Sequence, residues 1–321
     1  MSLLTSLLSG PVPEAAIELA PGRVSAALLS RRGRDVAIAG CAIERLPEGA
    51  LVASLTGQNV VDRAAVAGAL KRACERLGAT PTRAALVVPD LVAKVSLVRF
   101  EQVPARGEDL EQLVRWQVRK SAPFAVDDAV VTFSAGDAAD GAGREFVVAM
   151  AREATLREYE GVCEDLGMHA GLVDLATFSV ANLYLAAADS PAGDWLLVHM
   201  RPEYTSLVIL RGSDVIFFRN RAEGDDETLS DLVHQTAMYY QDRLGGQGFA
   251  RVLLGGAGRV AGVVEAARAE LEQRLNVEVA AVDPTRAATL NGRLANDSDT
   301  ADVLAPLVGM ALRACREGVG A

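Results

Sequence analysis

The stretch Ala15-Ala16-Ile17-Glu18-Leu19-Ala20-Pro21-Gly22-Arg23-Val24-Ser25-Ala26-Ala27-Leu28-Leu29 reads as two short strands about a Pro-Gly turn, and Asp35 to Ile43 supplies a third beyond Arg32-Gly33. Links this short force antiparallel neighbours, since a parallel pair needs a crossover of roughly a dozen residues. A helix is predicted over 62–77. Asp62 suits its N-cap, Val66, Leu70, Ala73, Cys74 and Leu77 share one face, and Gly78 follows its end. A strand over 84–88 closes the unit.

The same order returns further along. Strands are predicted over 195–200, 204–210 and 214–218, then a helix over 228–244 with Leu229, Leu232, Val233, Thr236, Tyr240 and Leu244 inward, then a strand over 251–254. Three hairpin strands, a helix and a strand in both halves point to a duplicated α/β domain, although side-chain identity between them is slight. Between the halves the pattern predicts strand 94–100, helix 108–120, strands 129–134 and 145–151, helix 153–166 and strand 169–175, the βαββαβ order of a ferredoxin-like unit. A helix over 177–187 and the linker Pro191-Ala192-Gly193 lead on. The far end reads as helix 260–275, strand 277–282, a polar stretch over 291–300 and a closing helix over 303–315. The expected division is a first half at 11–88, completed by 176–190 and 303–321, an insert at 89–175 and a second half at 192–302.

Composition narrows the function. Of 321 residues, 42 are Asp or Glu and 32 Lys or Arg, a formal charge of −10 that argues against affinity built on neutralising the phosphates of a nucleic acid. Cys41, Cys74, Cys163 and Cys315 form no Cys-x-x-Cys pair and sit in or beside apolar segments, as small buried residues of a reducing compartment do. No window approaches the roughly 18 consecutive apolar residues of a membrane span. Near the start, Leu3, Leu4, Leu7 and Leu8 share a helical face without a basic stretch before them, so a signal peptide is not expected. That face suits a short helix packed on its own protein or a docking element for a membrane or partner, and both readings stand. His169, His199 and His234 lack metal-ligand spacing, and neither a Gly-x-Ser-x-Gly elbow nor a Walker A loop occurs. His199 is expected as a neutral, buried strand-end side chain, and the acidic run Glu223 to Glu227 as a solvated helix start.

The most specific stretch is Leu110-Glu-Gln-Leu-Val-Arg-Trp-Gln-Val-Arg-Lys-Ser-Ala-Pro-Phe124, followed by Val130-Val-Thr-Phe133. With Leu253-Leu-Gly-Gly256 and Leu304-Ala-Pro-Leu-Val-Gly309 in order behind it, the chain resembles the type IV pilus assembly protein PilM family of the actin-like ATPase superfamily. It is more distantly similar to the cell-division protein FtsA and the cytoplasmic part of the general secretion L protein. The resemblance implies an actin-like, ribonuclease H-like duplicated α/β fold carrying an inserted ferredoxin-like subdomain.

In that superfamily each meander opens with an Asp and small residues, so that backbone N–H groups approach the phosphates of ATP and a carboxylate holds Mg²⁺ through water. PilM-like proteins carry Asp-Ile-Gly there, with a Lys soon after. This chain departs in both halves. Glu18-Leu19-Ala20-Pro21-Gly22 keeps a carboxylate but loses a backbone donor at Pro21, and Ser25 stands near the expected Lys. His199-Met200-Arg201-Pro202 replaces carboxylate and glycine alike. Gly255, Gly256, Gly258 and Gly262 could bring backbone close to a nucleotide, and a tight strand-to-helix turn needs the same glycines. A degenerate nucleotide site at Glu18, Gly255, Gly256 and Gly258 is therefore expected, and binding of ATP with Mg²⁺ there stays open.

The resemblance further implies a non-catalytic cytoplasmic adaptor, peripheral to the inner membrane through its partner and able to self-associate. That partner would be a PilN-like single-span membrane protein. A groove between the first half and the insert would receive its N-terminal peptide. The expected walls are Val95, Leu97 and Arg99 with Trp116, Arg119, Pro123 and Phe124, because a Trp flanked by Arg has the composition of an interface anchor. The rival readings are an active actin-like ATPase or small-molecule kinase, for which only Glu18 stands in the expected place, and a general secretion L-like scaffold.

Overall fold

Strand β1 (Ala15–Ala20) turns at Pro21-Gly22 into β2 (Arg23–Arg32), which returns as β3 (Asp35–Arg45). Ala20 pairs with Arg23 across this two-residue turn, and Gly22 takes the positive φ of 78° that such turns demand. Helix α1 (Arg63–Leu77) begins where the Asp62 carboxylate accepts the Ala65 N–H at 2.9 Å and ends at Gly78, φ 62°. Strand β4 (Arg83–Val88) then lies parallel to β1. The computed structural model describes residues 13–32, 35–138, 143–186, 193–224, 228–256, 262–290 and 298–317. The leucine-rich start, residues 257–261 and the 291–297 stretch lie outside them.

The chain continues through β5 (Ala93–Phe100), α2 (Gly107–Arg119), β6 (Ala129–Ala138), β7 (Arg144–Arg152), α3 (Glu153–Glu164), β8 (His169–Leu175) and α4 (Ala176–Ala186). The second half runs β9 (Asp194–Met200), β10 (Tyr204–Arg211), β11 (Asp214–Ala222), α5 (Leu229–Leu244), β12 (Arg251–Gly255), α6 (Val263–Leu275) and β13 (Val279–Ala281). Strand β14 (Thr289–Leu290) and α7 (Ser298–Glu317) end the described chain.

Among the described residues the strands form three sheets, ordered β14-β3-β2-β1-β4-β8, β11-β10-β9-β12-β13 and β5-β7-β6. Leaving β14 aside, both large sheets read third, second, first, fourth, fifth. The duplication seen in the element order is thus a duplication of topology. Period-two alternation assigns each strand two cores. Ile17 and Leu19 of β1 pack under α1 and α3, while Ala16 turns towards α4 and α7. In β9, Leu196 and Val198 pack under α5 and α6, while Trp195 and Leu197 on the other face meet α4 and α7.

Two expected boundaries are corrected. The order βαββαβ is present, but its last strand leaves the insert: β8 pairs in parallel with β4, from Arg83 with His169 to Val88 with Leu175. Helix α3 goes with it, since Tyr159, Val162 and Cys163 bury in the core of the first half. The insert is therefore the sheet β5-β7-β6 with α2 on one face, with no fourth strand among the described residues. Element order does not say which sheet edge a strand will join. In the same way β14 pairs with β3, Thr289 beside Ala37, so the first half recovers the chain from residue 289, and the closing helix starts at Ser298.

Candidate functional site

The alternation that aims Ala16 between the halves aims Glu18 there too, and two residues after Leu197 it aims His199. Glu18 is 1% exposed. Arg23 of β2 donates to its Oε2 at 2.9 Å, and Arg201, on the turn after β9, forms an ion pair with Oε1. One buried carboxylate thus holds two guanidinium groups from opposite halves. Burial lowers the pKa of Arg23, opposed by Tyr204, Glu203 and Asp302. Glu203 is itself raised by burial, and both arginines oppose that shift.

Beside this cluster lies a second buried network. The Asp90 carboxylate accepts the Thr177 N–H at 3.0 Å, the Ser206 hydroxyl at 2.5 Å and the Thr177 hydroxyl, while its backbone carbonyl accepts the Asn220 side chain at 3.2 Å. Asp90 leads into the insert, Thr177 stands on α4, and Ser206 and Asn220 belong to the second half. With the Thr177 hydroxyl donating to Asp90, its oxygen accepts from His199 Nδ1 at 2.7 Å, which fixes the neutral tautomer. His199 Nε2 is buried without a hydrogen bond. Burial, with the charge of Arg23 adding, pushes the His199 pKa down to about 3, and burial pushes Asp90 up against its three donors.

The glycines expected to serve a nucleotide pack against the protein itself. Gly256 has φ 82°, and a Cβ there would stand 2.0 Å from the Met200 carbonyl. Its N–H donates to Asp302 Oδ1 at 3.0 Å. A Cβ on Gly255 would meet Val282 at 2.8 Å. Gly258 lies outside the described residues. Among those residues, no group of three or more His, Cys, Asp or Glu could hold a metal ion.

A groove of about 720 Å³ separates the first half from the insert. One side is the backbone of β8 from Ala170 to Leu175, whose far edge carries no strand among the described residues. The roof is the sheet face bearing Val130, Thr132, Ala149 and Ala151, and α3 adds Glu153, Leu156, Arg157, Glu160 and Glu164. Past the salt bridge of Arg313 to Asp174, 2.6 Å, a second cavity of about 460 Å³ continues to Ser213 and Asp214 of the second half. The two share Thr132, Ala149, Asp174 and Arg313.

None of the seven residues expected to wall this groove lines it. Val95 and Pro123 border a different cavity of about 570 Å³, lined also by Ala53, Ser54 and Leu55 of the first half and by Phe218, Arg219 and Asn220 of β11. Leu97 shares the Val95 face of β5, and Arg99 lies beside Glu145, whose pKa burial raises and Arg99 lowers. Trp116 is 59% exposed on α2 with Lys120 over its ring, Arg119 pairs with Asp127 at 3.1 Å, and Phe124 packs into the insert core. Helix α2 covers the opposite face of the insert sheet, burying Val131, Val148 and Met150, so its residues point away from the groove. The signal that marks the residues lining this groove is the alternation along β6, where Val130 and Thr132 interleave with the buried Ala129 and Val131.

Among described residues, no helix is long and apolar enough to cross a membrane. The comparison with curated proteins yields no match. A family model for type IV pilus assembly protein PilM matches residues 17–243. Among solved structures the chain is similar to a PilM-PilN type IV pilus biogenesis complex, at 18% identity and TM-score 0.78 over 97% of this chain and 99% of that one. It is also similar to a Bacteroides thetaiotaomicron protein with an actin-like ATPase fold (9% identity, TM-score 0.49, 95% and 98% covered). A third similar structure is the cytoplasmic domain of EpsL, an inner membrane component of the type II secretion system of Vibrio cholerae (11%, 0.45, 81% and 94%). With two halves of one strand order, an insert between them and a family match over most of its length, this chain belongs to the type IV pilus assembly protein PilM family.

Proposed function

We propose that this chain is a non-catalytic adaptor on the cytoplasmic side of a type IV pilus assembly machine. In this reading the groove between β8 and the insert receives an extended N-terminal segment of a PilN-like single-span protein of the inner membrane. The observation that carries it is the free edge of β8 lying along an apolar-roofed groove. Such an edge offers a strand-shaped ligand backbone hydrogen bonds for register, and the sheet face opposite offers small and β-branched side chains for apolar contact. A solved PilM-PilN complex of the same fold supports the choice of partner. The Glu18 cluster supports the absence of catalysis, because the carboxylate that would hold Mg²⁺ is already neutralised by Arg23 and Arg201.

Fluorescence anisotropy tests it, with a labelled peptide from the N-terminus of the PilN-like protein encoded beside this chain. Wild type is expected to bind, and Thr132→Trp, which fills the groove from an exposed position, to lose at least tenfold in affinity with an unchanged melting temperature. Absence of binding by wild type overturns the adaptor reading for that partner. Undiminished binding by a folded Thr132→Trp chain places the peptide elsewhere.

A further inference from the structure

The two ends of the groove differ in charge, and that difference can orient its occupant. On α3, Glu153, Arg157, Glu160 and Glu164 follow one another at intervals of four, three and four and line the groove from a single helical face. Arg157 is taken up by Glu153. The side chains of Glu160 and Glu164 have no salt bridge or hydrogen bond among the described residues. The part-buried Glu160 is raised in pKa by burial and by the neighbouring Glu164, with His169 and Arg157 opposing. At the other end the charges cancel, since Arg313 closes on Asp174. The groove is thus anionic at one mouth and neutral at the other.

Helix α3 leads through the short turn 165–168 into β8, so the Glu160–Glu164 mouth lies at the start of that strand and the Arg313 gate at its end. A cytoplasmic segment leading into a membrane span carries its Lys and Arg residues close to the membrane. Resting on the adaptor reading above, we infer that the bound segment runs antiparallel to β8. Its first residues lie at the Arg313 gate, and its basic, membrane-proximal flank lies between Glu160 and Glu164. An antiparallel seventh strand is also the slightly stronger pairing. Six residues of β8 line the groove, so about six to eight extended residues separate the two ends.

The test uses the full chain and a synthetic peptide of about fifteen residues from the N-terminus of the PilN-like protein, a length that covers groove and flank. A photoreactive benzophenone is placed at its first residue or in its basic flank, and the cross-linked sites are mapped by mass spectrometry. The flank probe is expected to label α3 around Glu160 to Glu164, and the first-residue probe the neighbourhood of Arg313. Glu160→Gln with Glu164→Gln should weaken binding about tenfold and flatten its salt dependence, and should do nothing further to a peptide whose flank Lys and Arg are replaced by Gln. Labelling in the reverse sense, or coupling of the two glutamates to acetylation of the peptide's N-terminal amine instead of to its flank, overturns the polarity while leaving the adaptor reading intact. Absence of binding overturns both.

Discussion

The guanidinium of Arg201, carried on the turn after β9, is paired with the carboxylate of Glu18 on β1, and both side chains are buried. This pair joins the first hairpin of one half to the first hairpin of the other. Arg23 completes the arrangement from the strand next to Glu18, so two cations share a single anion out of reach of water. Burying such a cluster is costly, and its members depend on one another.

Glu18→Gln is therefore expected to destabilise the chain by about 3 kcal/mol, because it leaves Arg23 and Arg201 buried beside a neutral group. Urea unfolding of variant and wild type at neutral pH measures this. A change below about 0.5 kcal/mol would mean that the arginines find other anions.

The same pair should exclude nucleotide. Calorimetric titration with Mg-ATP is expected to give no heat or a millimolar dissociation constant, about −4 kcal/mol. Micromolar binding with hydrolysis would sink the non-catalytic reading.

His199 makes stability depend on pH in a stated direction. Its pKa is about 3 in the folded chain against about 6.5 when unfolded, so between these values the unfolded state binds one more proton and acid destabilises. Between pH 6 and 4.5 this one group should remove about 2 kcal/mol. Asp90, raised by burial, acts in the opposite sense, and it is present in both chains when wild type is compared with His199→Gln. The variant should lose less stability over that interval, and equal losses would show that His199 takes up its proton without unfolding.

Gly309 of α7 meets α4 so closely that a Cβ would stand 1.6 Å from the Ser179 carbonyl. Gly309→Ala should cost about 3 kcal/mol, since helix backbones on both sides must move apart. Thermal unfolding reads it, and an unchanged melting temperature would contradict the close packing of these helices.

Trp116 offers a negative control. Exposed on α2 and outside the groove, it should be replaceable by Ala with a stability change within about 0.5 kcal/mol and no loss of peptide affinity. A tenfold loss of affinity would return the docking surface to α2.

The repeated order of strands and helices, the Asp62 cap and the Gly78 stop were all legible in the chain, because each rests on contacts between residues close in sequence. Which sheet edge receives β8 was not, since its pairing with β4 spans more than 80 residues and depends on α3 burying Tyr159 and Val162 beneath the first half. The groove shows the same division. A place for it between the first half and the insert was implied by the family resemblance, but its walls depend on which face of the β5-β7-β6 sheet α2 covers, and Trp116 gave no indication of that. Arg201 and Pro202 were visible as departures from a phosphate-binding turn. Only the folded chain shows that the Arg201 side chain crosses between the halves to Glu18, because period-two alternation fixes the face a residue takes while the packing of two sheets about α4 and α7 decides what it meets there.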